Sequence, residues 1–470
     1  MERSYSETEV KKLIAEAMAP LLARIAVQEQ RIAELEAEIA RLKRNSSNSS
    51  KPPSSDIVKP PPPPVSGGGK RKIGGQPGHV KHTRTPFTPA QIDQVVRHEL
   101  QAPGRLEPLD QWAVLQQIEL AAKPCLVTEH RARQYRDPAT GRIVQAPFPP
   151  EVQAAGLVGP RLSALIAYLK SVCHASFSTI RKFLRDVLQV TLSRGQLARV
   201  MQKVSASLHG PYAQLQALLP RQARLNVDET GHKDNGKPLW TWCFRAPDFT
   251  FFKIDASRGS QVLLEVLGQA FNGLLGCDYF SAYHKYRDLS DVRIQFCLAH
   301  LIRDVKFLIT LPDQVTAAYG QRVLEGLRKL FHVIHRRAVL NPARFQRALE
   351  QARDALLATG KRAPQRIEAQ NLADRFRAHG ADYFRFITTP QAAGIDPTNN
   401  LAEQAFRFVV IDRYVTQGTR SPRGRDYCQR AWTVVATCAQ QARSAYHFFH
   451  AALTAAFTGA PAPSLLPAGP

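Results

Sequence analysis

RLNVDETGHKDNGKPLWTWCFRAPDFTFFKIDASRGS, residues 224–260, is where the chain changes its period. Before it, apolar residues recur at helical steps; within it they alternate. RLNVD reads as a short apolar strand ending in a carboxylate, Asp228. PLWTWCF and FTFFKID alternate as half-buried strands, the first with Trp240, Trp242 and Phe244 on one side. A helix is expected over Ser260–Leu267. GLLGCD, residues 273–278, is a further buried strand that ends in Asp278. A third acid, Glu403, falls in the first turn of a helix within NNLAEQAFR.

Each of these acids has an ordinary explanation. An Asp at a strand end often makes a turn or a cap, and a Glu in a first helical turn answers the macrodipole. Glu229 also competes with Asp228 for any role. Two aspartates at neighbouring strand ends, with a glutamate from a helix, nevertheless form a hard oxygen cage suited to Mg²⁺ or Mn²⁺. In open sheets, sites lie beyond the carboxyl ends of strands. Two such ions stabilise the attacking and leaving oxygens of an in-line phosphodiester displacement.

Outward from this core the chain reads as a multidomain α+β protein. Residues 1–44 are helical, with Pro20 as a break or kink. Taking Ile25 as heptad position a puts Gln28, Leu35 and Leu42 at d, and Arg24/Glu29, Arg31/Glu36 and Glu38/Lys43 are then flanking pairs of opposite sign. That pattern suits a parallel homodimeric coil; a single amphipathic helix packed on its own chain is the alternative. Residues 45–85 form a Pro-, Ser- and Gly-rich linker that turns basic at Lys70, Arg71 and Lys72 and could track phosphates. Over 86–155 a small β module is expected, with strands at VVRHEL, WAVLQQIEL and RARQYR and a turn at DPATGR. Residues 156–210 suggest a helix-turn-helix, with helices Ser178–Leu188 and Ser193–Ser207, an N-cap at Ser193, and Gln196, Arg199 and Gln202 toward DNA. Residues 313–385 are strongly helical, another helical block runs from Asn400 to Phe449 with a break near Gly418–Gly424, and 456–470 reads as a disordered tail.

The 470 residues carry 63 Lys and Arg against 39 Asp and Glu, a net charge of +24 that favours a polyanionic partner, nucleic acid first. Seven scattered cysteines without a CxxC pair fit reduced thiols in a bacterial cytoplasm, with no membrane partner.

The stretches NSSNSSKPPSSD, GGQPGH, VDETGHK, GCDYFSAYHKY, FCLAHLIRD and NNLAEQAFR resemble transposases of the insertion sequence 66 family, in the DDE class. The resemblance runs from the N-terminal coil to about Phe449. It implies a ribonuclease H-like catalytic core that starts at 211–310, is interrupted by a helical insertion at 311–390 and resumes at 391–455. It puts the catalytic and metal-holding triad on Asp228, Asp278 and Glu403, with Mg²⁺ or Mn²⁺ as cofactor. Double-stranded DNA would be the partner, both as element ends and as target, in a nucleoid-associated protein that works as a homodimer or larger assembly, with or without accessory proteins. His300, in the CxxH word with Cys297, would support the active site by touching phosphate or steadying a carboxylate. A zinc reading of CxxH needs further ligands, and none are near in sequence.

The sequence departs from the family in two places. HELQAPGRLEP and YRDPATGRIV stand where a cysteine-pair zinc module is expected, so no structural zinc is expected. DRYVTQGTRSPRGRDYC also differs from the common form; its Arg413, Arg420, Arg423 and Arg425 suit a phosphate-binding loop or a solvated one. The missing module keeps a rival open, a catalytically silent DNA-binding protein or repressor derived from a transposase.

Overall fold

The computed structural model describes residues 6–43, 85–98, 111–389 and 395–467. Lys70, Arg71 and Lys72, with the rest of the basic linker up to 84, lie outside the described residues.

Helix α1 (Glu7–Leu42) runs through Pro20 without the break that was one of the two expectations there, a break or a kink. Pro20 falls at heptad position c, away from the apolar seam, so it costs one backbone hydrogen bond without disturbing a packing face. Because the helix continues, Ile14, Met18 and Leu21 extend the seam of Ile25, Ile32, Leu35, Ile39 and Leu42 upstream. All of these side chains are exposed.

Among the described residues of the region expected to hold a β module, the strands are β1 (Gln134–Arg136) and β2 (Ile143–Gln145), antiparallel around the DPATGR turn. WAVLQQIEL and the described part of VVRHEL are not strands. Their Val95, Val114, Leu115 and Ile118 are exposed, and among the described residues no strand pairs with them; Gln116 instead exchanges side-chain hydrogen bonds with the Phe87 backbone.

Helices α2 (Pro150–Ala155) and α3 (Pro160–Ser171) follow, broken at Gly156, which has φ 62°. The apolar stretch 150–171 is long enough by composition alone to cross a bilayer, but it is split at this glycine and Ala164, Ile166 and Ala167 enter the main core. Helices α4 (Phe177–Asp186) and α5 (Arg194–Ser207) come next. Ser193 caps α5 as expected, in a reciprocal box with Gln196. The connection 187–193 is longer than the roughly three to four residues of a helix-turn-helix turn. Helix α6 (His209–Leu218) leads to the sheet.

The sheet has five strands in the order β5-β4-β3-β6-β7: β3 (Arg224–Asp234), β4 (Lys237–Arg245), β5 (Thr250–Asp255), β6 (Leu274–Cys277) and β7 (Arg293–Phe296). The first three are antiparallel in sequence order; β6 and β7 then add in parallel beside β3. Helices α7 (Ser260–Leu267) and α8 (Ser281–Asp288) make the crossovers. The pleat sorts the residues. Val227, Trp242, Phe244, Leu275 and Cys277 join the main core with α7 and α8. Cys243, Leu239 and Phe252 join a second core on the other face.

Beyond β7, α9 (Leu298–Ile309) is followed by the helical block α10 (Gln314–His335), α11 (Pro342–Lys361), α12 (Ile367–His379) and the short α13 (Arg385–Thr388). Val323, Leu324, Leu327 and Leu330 form the buried face of α10 that their spacing predicts. The chain returns as α14 (Asn400–Ala405), α15 (Arg407–Thr416), α16 (Pro422–Gln440) and α17 (Ala445–Thr458). Ala402, Ala405, Val409 and Trp432 of these helices cover the Cys243 face of the sheet.

The break before α16 is an anchored loop. Thr419 bridges to Asp234, and its N–H donates to the Lys233 carbonyl at 2.9 Å. Gly418, at φ +92°, lies so close that a Cβ would sit 2.1 Å from that carbonyl. The segment after 456, expected to be disordered, instead completes α17 and docks through 467. Leu465 is fully buried, and Gln441 donates to its carbonyl at 2.8 Å. Arg443 donates to the Ser464 carbonyl and Ser464 Oγ donates to Gln214 Oε1, so polar contacts as well as Leu465 hold the segment.

Candidate active site

The site follows from strand register. Residues of β3 and β6 pair at a constant spacing: Arg224 with Leu274, Leu225 with Leu275, Asn226 with Gly276. Continuing that register puts Asp228 level with Asp278. The β6–β7 register likewise puts Asp278 level with Cys297, one residue beyond the Cys277–Phe296 pair. A row of three side chains therefore crosses the carboxyl end of the parallel part of the sheet, on the face covered by α14. Asp228 is not at the end of its strand, as the sequence suggested. β3 runs on to Asp234 through the pairing with β4, and only its parallel pairing to β6 stops at Asn226.

The pleat also separates Asp228 from Glu229. Glu229 points to the opposite face, opposite Trp242 in register. There its carboxylate accepts from Arg258 Nε at 2.9 Å and Nη2 at 2.8 Å, and from the Tyr283 hydroxyl at 2.7 Å. Arg258 is stacked over the rings of Phe280 and Trp240. Glu229 is thus held in a closed ion pair.

Glu403 reaches the row because the segment before α14 is tied across the strand ends. Leu298 N–H donates to the Pro397 carbonyl at 2.9 Å, and Asn399 N–H donates to Cys297 Sγ at 3.1 Å. The Asn399 side chain donates to the Val227 carbonyl at 2.8 Å and accepts from Asn226 Nδ2 at 2.9 Å. Asn226 needs Gly276 beneath it; a Cβ there would lie 2.6 Å from its amide nitrogen. One buried asparagine therefore fixes α14 against the residue before Asp228. Arg303 Nη2 lies 3.4 Å from Glu403 Oε2, and His300 Nδ1 lies 3.7 Å from Glu403 Oε1.

Electrostatics mark the acids as a group. Burial, then repulsion from Glu229, Asp278 and Glu403, pushes the Asp228 carboxyl well above its ordinary range. Asp278 is raised by burial, and His300, Arg258 and Arg375 partly offset this. Glu229 is pushed up to about 7, by burial first and then by Asp278. His300 is lowered by burial, against the pull of Asp278 and Glu403. Burial raises the Cys297 thiol to about 11. Carboxyls that resist ionising together are the arrangement a divalent cation relieves.

Residues 155–427 match the family profile described as Transposase IS66 family. The chain belongs to the IS66 transposase family. Residues 1–85 separately match a family of unknown function, DUF6444. No curated protein matches the chain. For an IS66 transposase, DNA is the expected partner, and several surface residues predicted for it can now be located. Arg199, on α5, is exposed, as are Arg420 and Arg423. Gln196 instead spends its side-chain oxygen on the Ser193 N–H at 2.7 Å. Arg413 donates to the Gly231 carbonyl and to Thr230 Oγ1, and Arg425 pairs with Asp234 Oδ2 at 2.7 Å. Those two arginines brace the anchored loop against β3.

Sequence reasoning missed Asn226, Gly276, Asn399 and the Arg258–Tyr283 clamp. The Asn399–Asn400 doublet was the visible signal, but an Asn before a helix reads as a cap, and Asn399 makes no side-chain cap bond.

Proposed function

We propose that this IS66 transposase is a DDE enzyme that cuts the ends of its element and joins them to target DNA at a divalent-metal site formed by Asp228, Asp278 and Glu403. The observation that carries this is the shared register of Asp228 and Asp278 on the sheet face to which Asn399 ties Glu403. Burial and repulsion from neighbouring carboxyls, Asp278 and Glu403 among them, hold Asp228 well above its ordinary range, and burial raises Asp278, which fits a divalent cation. The strand order, three antiparallel strands then two parallel, supports a ribonuclease H-like core, with α10–α13 as the insertion.

When bound, Mg²⁺ or Mn²⁺ supplies Lewis acidity toward the phosphoryl oxygens and toward the nucleophile. Asp228 and Asp278 would hold it between the strand ends, and Glu403 would close the cage from α14. Arg303 and His300 would keep Glu403 from swinging away. Two displacements follow from one geometry. Water attacks the phosphodiester at the element end and a 3′-OH leaves. That 3′-OH then attacks a target phosphodiester and displaces a target 3′-OH.

Arg199, Arg420, Arg423 and the Lys70–Lys72 cluster would supply phosphate contacts, with α4 and α5 reading the ends. The exposed seam of α1 would pair two protomers and so bring two ends together. Asp228→Asn, Asp278→Asn and Glu403→Gln are each expected to abolish Mg²⁺-dependent end cleavage while DNA binding survives. Full cleavage by any one of these variants would remove that residue from the triad.

A further inference from the structure

Beside the acid row lies a donor set of different chemistry. Cys297 Sγ, a ring nitrogen of His300 and a Glu403 carboxylate oxygen all lie within 4.8 Å of one another. Cys297 caps α9, His300 stands in its first turn, and Glu403 comes from the first turn of α14. His300 is 8% exposed at its side chain, yet its Nδ1 has no hydrogen-bond partner; neither has the buried Glu403 Oε1, 3.7 Å away. Two buried polar atoms left unpaired and facing each other are costly unless a third body sits between them. The sulfur is already oriented, because the Asn399 N–H donates to it at 3.1 Å.

A thiol, an imidazole and a carboxylate are not a magnesium set. Mg²⁺ takes oxygen ligands in near-octahedral geometry. Sulfur and nitrogen with one carboxylate select Zn²⁺, Co²⁺ or Cd²⁺, and three protein ligands leave one position open. Zinc bonds of about 2.0–2.3 Å put tetrahedral ligands roughly 3.3–3.8 Å apart. With every pair inside 4.8 Å, the cluster needs to contract by no more than about 1–1.5 Å to reach that spacing.

We propose that Cys297, His300 and Glu403 form a second metal site, selective for a softer divalent ion such as Zn²⁺ or Co²⁺, that shares Glu403 with the acid row. The inhibitory consequence rests on the reading of Glu403 as the third acid; the binding site itself does not. On binding, the Cys297 S–H bond breaks, its proton passes to solvent, and the sulfur bonds to the ion with no change in oxidation state. An ion seated there turns Glu403 toward Cys297 and away from Asp228 and Asp278. Zn²⁺ is then an inhibitor of the Mg²⁺ reaction and not its cofactor.

The test is a Co²⁺ titration of the full chain, followed by the near-ultraviolet sulfur-to-cobalt charge-transfer band. Wild type and Asp228→Asn should both develop the band at one equivalent. Cys297→Ser, which keeps an acceptor for the Asn399 N–H, should lose the band. His300→Ala should bind Co²⁺ at least about tenfold more weakly, since losing even an outer-shell partner costs about 10–100-fold. Absence of the band in wild type, or an unchanged band in Cys297→Ser, overturns the site. In a second arm, Zn²⁺ is titrated into the Mg²⁺ cleavage reactions of wild type and Cys297→Ser, each scaled to its own zinc-free rate. The midpoint of inhibition should rise about tenfold or more in Cys297→Ser. A wild type that binds Co²⁺ but ignores Zn²⁺ would refute the sharing of Glu403. Normal cleavage by Glu403→Gln would sink the functional reading and leave the Co²⁺ result to judge the site alone.

Discussion

Asp228 and Glu229 are chain neighbours with the same chemistry, and the pleat of β3 gives them opposite fates. Glu229 turns into the main core and is saturated by Arg258 and Tyr283. Asp228 turns to the other face, level with Asp278, where other carboxyls repel it. One acid is paired for stability; the other is held in a strained group that a cation would relieve. A carboxylate's role here depends on which face it occupies more than on its place in the sequence.

The largest expected effect separates the pair by activity. Asp228→Asn should lower end cleavage by about 10³-fold or more, as loss of a group acting within a catalytic unit does. Glu229→Gln should leave the rate per folded molecule within a few-fold of wild type, and a loss comparable to that of Asp228→Asn would erase the distinction. In EDTA the two variants should also move the melting temperature in opposite directions. Asp228→Asn removes a repelled carboxyl and should raise it; Glu229→Gln weakens the clamp and should lower it.

A smaller effect tests how Glu403 is brought to the row. Asn399→Ala should cost about 10²-fold in cleavage, the loss that follows when a reacting group is misplaced by about 1 Å. Gly276→Ala should mimic it by pushing Asn226 off its place, although neither residue carries a reacting group. Wild-type cleavage in both variants would mean that α14 is fixed by its apolar contacts alone.

On the closed face, Arg258→Met leaves Glu229 buried without its cation. That should destabilise the fold by about 3 kcal/mol, the low end for a broken buried pair, because Arg258 keeps 38% of its side chain in solvent. Denaturant unfolding measures it, and the double variant Arg258→Met with Glu229→Met should recover much of the loss.

Farther along β3, His232 offers a pH test. Burial lowers its pKa from 6.5 to about 4, and it hydrogen-bonds Thr419 Oγ1 of the anchored loop. The unfolded chain binds the proton more tightly than the folded one. Stability from this group is therefore full above pH 6.5 and is lost as pH falls toward 4, by an amount on the order of 3 kcal/mol. His232→Asn should flatten the stability profile across that window; an unchanged profile would mean that other groups set it. The smallest effects belong to the surface: Arg420→Ala and Arg423→Ala should each reduce the salt dependence of DNA binding by about one counterion.

Much of this was legible in the sequence. Alternation in PLWTWCF and FTFFKID gave the antiparallel strands and the side to which Trp242 and Phe244 face, and the Ser193 cap marked the start of α5. Asp278 stood where a buried strand ended. Less was legible where polar residues complete an element. DETGHKD looks like a turn, yet pairing with β4 carries β3 through it to Asp234. WAVLQQIEL looks like a strand, yet among the described residues no strand pairs with it. The Asn226–Asn399 bond joins residues 173 apart, and the Arg258–Glu229 pair depends on which way the pleat turns. Neither leaves a local trace in composition or period.

The central claim is that three acids from three elements make one cation site, and Mn²⁺ binding to the full chain without DNA tests it most directly. Free Mn²⁺ can be counted by electron paramagnetic resonance in wild type, Asp228→Asn, Asp278→Asn, Glu403→Gln and Glu229→Gln. The account predicts that each of the first three substitutions weakens binding and that Glu229→Gln does not. Equal binding by Asp228→Asn and wild type, or loss of binding in Glu229→Gln alone, would contradict it.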